Sequence, residues 1–436
     1  MLRFAPSPTG YLHTGNARIA ILNYLFARKY NLNYILRIDD TDAERSKKKY
    51  ENQIKIDLEW LGIKFTSSFN QLDRIKIYSE ISDYLKKKGN IYPCFESPAE
   101  LEVKRKLQLK SGKPPLYDRA ALNLTSKEIN EFEKQGIKPH WRFKLDNNSI
   151  EWNDLLHGKI FFEKLSISDP VVIRSDGIPL FTLTSVIDDL EFNISHIIRG
   201  DDHITNTAAQ MQLFNTIGGN IPKFAHFPLM KSITGEQMSK RNKSFSLNDI
   251  RCRGIQPGVL FSMLSKLGSK NNFDTIETFN TLLGNFEIGN FSKNTINFDM
   301  LDLERMNSKF LSSLSLEDIK SITEFNITNT QWLVIRPNVK NIQDIKTWLD
   351  ITNNTFKKIE DSQNSDLFRV AMECLPNKIS EQTWKFWCSE IKKKTGISGK
   401  RLFLPLRLKL TGRKSGPEMN KIIHVLGKEE IIRRLV

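Results

Sequence analysis

The stretch Pro6-Ser7-Pro8-Thr9-Gly10-Tyr11-Leu12-His13-Thr14-Gly15-Asn16 limits what this chain can become more than any other segment. It lies between a short strand-like start, Leu2-Arg3-Phe4, and an apolar run of helical period from Asn16 to Tyr30. Proline presets φ and glycine opens backbone shapes closed to other residues, so the loop between them is tight and fixed. The order strand, fixed loop, helix reads as α/β. The helix N-terminus favours phosphate through its free N–H groups and its dipole. His13, at the start of that helix, can donate to a phosphate whose charge grows in a transition state. Gly15 has no side chain, so a planar ligand can lie against its backbone. A lone His-x-Gly would be an ordinary turn with a satisfied histidine. The full pattern arises by chance in such a chain with a probability below about 10⁻⁶ at typical residue frequencies.

The α/β texture continues past this segment. Residues Asn33 to Ile38 read as a buried strand. Helices follow over Glu51–Leu61, with Ile54, Leu58 and Leu61 on one face, and over Ile75–Lys88, ended by Gly89. From Cys94 to about Ile187 the pattern changes. Lys104–Lys113 is basic and helical or looped, Trp141–Leu145 alternates like a strand, and Ile160–Phe162 and Val171–Ile173 are short strand-like pieces. This reads as an insertion between two halves of one α/β domain. Ser195–Gly200 restores a buried strand, and a helix from Asn206 to Ile217 ends at Gly218-Gly219. The remainder is mostly helical by period: Leu260–Leu267, Leu301–Leu311, Trp348–Lys358 and Thr383–Lys394, with a composition shift near Ser312-Ser313.

Hydrophobic residues at 39% and charged residues at 26% suit a packed core rather than disorder. The four cysteines, Cys94, Cys252, Cys374 and Cys388, are far apart and form no C-x-x-C pair, which argues against a disulfide scaffold and a structural zinc site. No apolar run approaches the ~20 residues that span a bilayer, and Met1–Pro6 has no apolar core of a signal peptide. The expectation is a cytoplasmic protein with reduced thiols. Lys+Arg of 65 against Asp+Glu of 50 gives +15, which fits a polyanionic partner and equally fits a generally lysine-rich composition.

A second segment carries chemistry. Met238-Ser239-Lys240-Arg241 lies in the Gly- and Lys-rich stretch Thr234–Ser244. Lys240 on a loop can clamp the phosphates of a nucleotide from the opposite side, since lysine is a compact charge on a flexible stem. Alone, such a tetrapeptide would be a solvated basic loop. The two segments in this order resemble the HIGH and KMSKS signatures of class I aminoacyl-tRNA synthetases. Over nearly its whole length the chain is similar to bacterial-type glutamyl-tRNA synthetases. The likeness extends to Arg37–Asp42, Ser175-Asp176-Gly177, Val186–Asp189, Ile198–His203, Leu404–Arg407 and Thr411–Pro417.

The resemblance implies a Rossmann-type parallel-sheet catalytic domain with an α+β insertion, followed by all-α C-terminal tRNA-binding domains. Its division of the chain is 1–92 and 190–230 for the two catalytic halves, 93–189 for an acceptor-end-binding insertion, 231–312 for a stem-contact region, and 313–436 for a helical anticodon domain. It implies that glutamate is activated by ATP to glutamyl-adenylate and passed to the 3′ end of tRNA-Glu. His13, Gly15 and Lys240 would be catalytic. ATP would be held by these and by Asn16, Asp202, Ser239 and Arg241, with Mg²⁺ arriving with ATP and no protein ligand set for it visible. Glutamate would meet Arg3, Ser7, Asp39, Phe181, Ser185 and Arg199. Arg3 is the first choice for the side-chain carboxylate and Arg199 the second, since arginine can hold both oxygens. Asp39 would take the ammonium group; the rival reading makes Arg37 and Asp39 a surface ion pair at a strand end.

The chain departs from the family at several places. Gln237 stands for the first lysine of the second signature, and Asn16 for the last residue of the first. Asp39 and Phe181 replace the glutamate and tyrosine of many relatives, and only Cys94 remains where zinc-containing relatives have a cysteine cluster, so zinc is not expected. In the basic C-terminal region, Trp384 and Trp387 could stack on anticodon bases, but their helical spacing favours a core role. Asn338, after Arg336-Pro337, stands where some relatives place a discriminating arginine, which points to relaxed discrimination and charging of tRNA-Gln as well. The resemblance also implies a monomer that needs tRNA for glutamate activation. A glutaminyl-tRNA synthetase is the nearest enzyme alternative, and a non-catalytic RNA-binding paralogue, hinted at by Gln237, Asp39 and Phe181, is the alternative of another class.

Overall fold

The computed structural model describes residues 1–164, 166–233, 246–271, 274–353 and 356–436. They form two compact units, one of residues 1–250 with 260–299 and one of residues 251–259 with 300–436.

The first unit opens with strand and helix in alternation: β1 (Leu2–Phe4), α1 (Thr14–Lys29), β2 (Tyr34–Ile38), α2 (Lys48–Trp60) and β3 (Ser67–Asn70). The three strands pair in parallel in the order β1-β2-β3, and Arg3 stands opposite Ile35. α1 follows the apolar period of its sequence, and Ala17, Ile21, Leu22 and Leu25 are fully buried. Arg28 and Lys29 lie in its last turn, where cations suit the dipole.

After α3 (Ile75–Lys87) the chain enters the insertion: β4 (Ile91–Cys94), α4 (Pro98–Lys110), α5 (Ser126–Lys134), β5 (His140–Phe143), β6 (Ile150–Asp154), β7 (Gly158–Phe162) and β8 (Val171–Ile173). Here the pairing turns antiparallel, as β4-β5-β8 and β6-β7. The basic stretch from Lys104 to Lys110 proves helical. α4 starts from a Ser97/Glu100 capping box with Pro98 at its first turn, and none of its residues is buried. Near Cys94 the Tyr117 hydroxyl lies 2.8 Å from Glu96, and Lys104 bridges Glu96 and Asp118 at 2.9 Å each.

The parallel pattern resumes with α6 (Phe181–Glu191), β9 (His196–Gly200), α7 (Ile204–Ile217) and β10 (Lys223–Phe227). β9 and β10 pair in parallel, with Arg199 directly opposite His226. Ser195 N donates to Met1 O at 2.9 Å, so β9 begins beside β1. The strands therefore diverge from the β1/β9 seam in opposite directions, a switch point where α/β sheets bind ligands beyond the strand ends. Tyr78, Phe143, Leu183, Phe214 and Phe224 share one buried core that ties the insertion to α6, α7 and the sheet. Each such side chain stabilises the fold by about 1.5–3 kcal/mol on burial. β11 (Met230–Ser232), α8 (Leu247–Cys252), α9 (Pro257–Lys266), α10 (Phe279–Asn285) and β12 (Ile296–Phe298) follow, with β11 and β12 parallel.

The described elements of the second unit from residue 300 onward are helical: α11 (Met300–Ser313), α12 (Leu316–Ile322), α13 (Asn329–Ile335), α14 (Ile342–Thr352), α15 (Ser365–Glu373), α16 (Thr383–Thr395), α17 (Lys400–Thr411) and α18 (Met419–Leu435), the last broken at Gly427 (φ 72°). One difference from the periodicity is clear. The helix expected over Trp348–Lys358 starts earlier, from an Asn341/Asp344 capping box, and ends at Thr352 because Asn353 turns extended. Trp387 is wholly buried and donates from Nε1 to Ala371 O at 2.7 Å; Trp384 packs 5.8 Å from it. Both tryptophans serve the core, as their helical spacing favours.

Candidate active site

A cavity of about 540 Å³ opens at the β1/β9 seam, beyond the strand ends. One wall is the fixed loop and the first turn of α1. His13 is the N-cap residue of that helix, and its Nδ1 accepts from Asn16 N at 3.3 Å. The imidazole thus does what Ser or Asp usually does at a helix start. Gly15 leaves room for the His13 ring. A Cβ there would stand 2.9 Å from His13 Nδ1 and 3.0 Å from Cε1. Asn16 Oδ1 is buried and finds no hydrogen-bond partner among the described residues. Ser7 also lines the cavity.

The floor is a buried ionic network. Arg3 Nε reaches Asp189 Oδ1 at 3.0 Å, and Arg3 Nη2 reaches Asp189 Oδ2 at 3.3 Å. Arg37 holds Asp39 through two bonds of 2.6 and 3.2 Å, and also reaches Asp189 at 3.0 Å. Asp188 takes Arg74 Nε at 2.8 Å, Gln71 Nε2 at 2.7 Å and the Tyr78 hydroxyl at 2.9 Å. Arg37 and Asp39 do pair, as the rival reading has it, yet both are buried and Asp39 still lines the cavity. Burial pushes the Asp39 carboxyl up, and the adjacent Arg37 guanidinium opposes that rise. Arg37, desolvated but flanked by Asp39, Asp189 and Asp188, is held in its charged form.

Arg199 is different. Among the described residues no carboxylate pairs with it. Its Nη2 donates to Thr207 Oγ1 at 2.5 Å and to Gln210 Oε1 at 2.8 Å, and its Nε donates to His226 Nε2 at 3.4 Å. Its Nη1 is buried without a partner among the described residues. Burial, with Arg3 nearby, pushes its pKa down to about 9, so it keeps its charge at neutral pH. A buried guanidinium held by neutral acceptors, on a residue that lines the cavity, is suited to receive an anion.

Phe181 and Asp202 also line the cavity. Phe181 lies 5.4 Å from the ring of His203, a residue given no role on sequence grounds. Burial first, and Arg199 second, push the His203 pKa down to about 4, so it is neutral. Asp202 is half-exposed, 3.8 Å from His203 Nε2. Ser185 stands behind the cavity wall. Its hydroxyl donates to Phe181 O at 2.5 Å and accepts from Gln210 Nε2 at 2.6 Å, which braces a partner of Arg199. Gln237, Ser239, Lys240 and Arg241 lie outside the described residues. Asn338 ends a short 3₁₀ turn, Arg336–Asn338, in the second unit, and is half-buried.

Asp188 and Asp189 are the residues whose role sequence reasoning missed, although the segment holding them was singled out. The signal was present: two adjacent acids stand between Val186-Ile187 and Leu190, and an acid buried there needs a cation. Which cations answer was invisible, since Arg3 and Arg37 lie 186 and 152 residues away in sequence.

Comparisons with known proteins show the family and the fold. The family described as tRNA synthetases class I (E and Q), catalytic domain, matches residues 1–307, and an anticodon binding domain matches residues 333–436. A glutamate–tRNA ligase of Rickettsia prowazekii is 45% identical over 100% of this chain and 98% of its own length. Another, of Maricaulis maris, is 41% identical over 100% and 98%. The solved glutamate-tRNA synthetase of Elizabethkingia anophelis has the same fold, with a TM-score of 0.79 at 24% identity over 100% of this chain and 98% of that one. The chain belongs to the class I tRNA synthetases of the glutamate and glutamine group, within the family of glutamate–tRNA ligases.

Proposed function

We propose that the chain activates glutamate with ATP and transfers it to tRNA-Glu, and that it also charges tRNA-Gln. The observation that carries the first part is the cavity itself. It sets a helix N-terminus suited to phosphate opposite an arginine suited to a carboxylate. ATP lies with its phosphates at the start of α1, near His13, and its adenine against Gly15, beside Asn16 and Asp202. Ser239, Lys240 and Arg241 close on the phosphates from the other side. Glutamate lies over Arg3, Ser7, Asp39 and Phe181, and its α-carboxylate oxygen attacks the α-phosphate, releasing pyrophosphate. That Asp189 already holds Arg3 supports Arg199 as the partner of the side-chain carboxylate in this reading. Ser185 then serves by bracing Gln210. No covalent nucleophile is needed, because alignment and fixed charge supply the rate.

Mg²⁺ comes with ATP and is held chiefly by its phosphates; among the described residues no group of three or more His, Cys, Asp or Glu is placed to hold a metal ion. The insertion stands without zinc in this reading, its Cys94 region tied by Lys104 between Glu96 and Asp118. Residues 93–189 take the acceptor end, 231–312 the stem, and 313–436 the anticodon, which Asn338 helps to read. The protein works as a cytoplasmic monomer.

The test is charging of purified tRNA-Glu and tRNA-Gln, separately, with labelled glutamate and ATP. Both are expected to be charged. Charging of tRNA-Glu alone would remove the relaxed discrimination assigned to Asn338. Charging of neither, by folded protein that still binds tRNA, would favour the non-catalytic paralogue.

A further inference from the structure

We propose that His226, held by Asp154, is a positioning residue that aims the Arg199 guanidinium at the amino-acid side chain, an inference that rests on the glutamate reading above. Arg199 and His226 are register partners on β9 and β10, so their side chains leave the sheet together. Arg199 Nε donates to His226 Nε2, and the Thr207 hydroxyl lies 2.8 Å from the same nitrogen. An imidazole nitrogen that accepts from a guanidinium carries no hydrogen. The ring hydrogen therefore sits on Nδ1, which lies 2.6 Å from Asp154 Oδ2.

Asp154 is itself fixed. Its Oδ1 accepts from Leu156 N and His157 N at 2.9 Å each. Both Asp154 and His226 side chains are 0% exposed. The carboxylate thus selects the tautomer, and the tautomer supplies the acceptor that turns Arg199. With Nε and Nη2 both occupied, Nη1 is the guanidinium nitrogen without a partner among the described residues. The device starts on the inserted strand β6 and ends at the cavity wall. A purely structural role, tying β6 to β10, is already met by the backbone, since Leu155 N donates to Phe224 O at 2.8 Å. Such a tie needs no acceptor at Nε2.

The test compares His226→Gln with His226→Asn in tRNA-dependent ATP–pyrophosphate exchange. A glutamine amide can place its oxygen where Nε2 accepts; an asparagine amide reaches only the Nδ1 side. For His226→Asn the glutamate KM is expected to rise about tenfold, the effect of one charged hydrogen bond, with ATP KM unchanged. His226→Gln is expected to stay within about threefold of wild type. Equal glutamate KM in the two variants, or glutamate and ATP KM rising together, would overturn the proposal. Failure of the wild-type protein to exchange with glutamate would instead overturn the glutamate reading itself.

Discussion

Replacing Arg199 with glutamine is expected to remove glutamate activation while leaving the protein as stable as before, or more so. The two effects have opposite signs because Arg199 is a buried cation that no carboxylate among the described residues bonds. Its pKa, pushed down to about 9 by burial, shows that the folded state holds this charge at a cost. A neutral residue of similar length relieves that cost and keeps bonds to Thr207 or Gln210. Glutamate, however, loses the charge-assisted pair for its side chain, and at least about 10²-fold in kcat/KM is expected to go with it. Steady-state exchange kinetics and a thermal melt on the same sample check both signs. A melting temperature that falls together with activity would mean that Arg199 is a structural residue.

The second large effect is expected from Gly15→Ala. Gly15 sits in the first turn of α1 with an ordinary backbone, so alanine suits the helix there and favours it by up to about 1 kcal/mol. The added Cβ, however, meets the His13 ring at 2.9 Å. The ring must swing away, which breaks its bond from Asn16 N and moves the imidazole from the phosphate end of the cavity. Overall stability should therefore change by less than about 1 kcal/mol. Adenylate formation should fall about 10²-fold or more, the scale for removing one fixed donor to developing charge. A wild-type rate in Gly15→Ala would show that His13 does not act on the phosphates from its present place.

The parts of the fold legible in the sequence are those written in local chemistry. Proline and glycine around Thr9 and the apolar period from Ala17 to Leu25 announce a strand–loop–helix unit, and the structure contains it as β1, loop and α1. The insertion was legible from a change of texture at Cys94, which coincides with the switch from parallel to antiparallel pairing. Less local features were not legible. That Arg37 and Asp39 pair inside the protein, and not on its surface as the rival reading has it, was not legible from two residues at a strand end. Their burial depends on α6, whose Asp189 arrives from far along the chain. Nor does anything in Leu2-Arg3-Phe4 tell that Asp189 holds Arg3. The helix around Trp348 was shifted because its apolar period continues past Asn353, where the backbone turns extended.

The central claim is that Arg199, held by neutral acceptors, selects an anionic amino acid in a cavity that also binds ATP. The most direct measurement is tRNA-dependent ATP–pyrophosphate exchange by the wild-type protein, with glutamate and with glutamine as the amino acid. The two differ in side-chain charge at almost equal volume. Exchange with glutamate, and at least about 10²-fold lower kcat/KM with glutamine, is the expected result. Equal exchange with both, or preference for glutamine, would contradict the account.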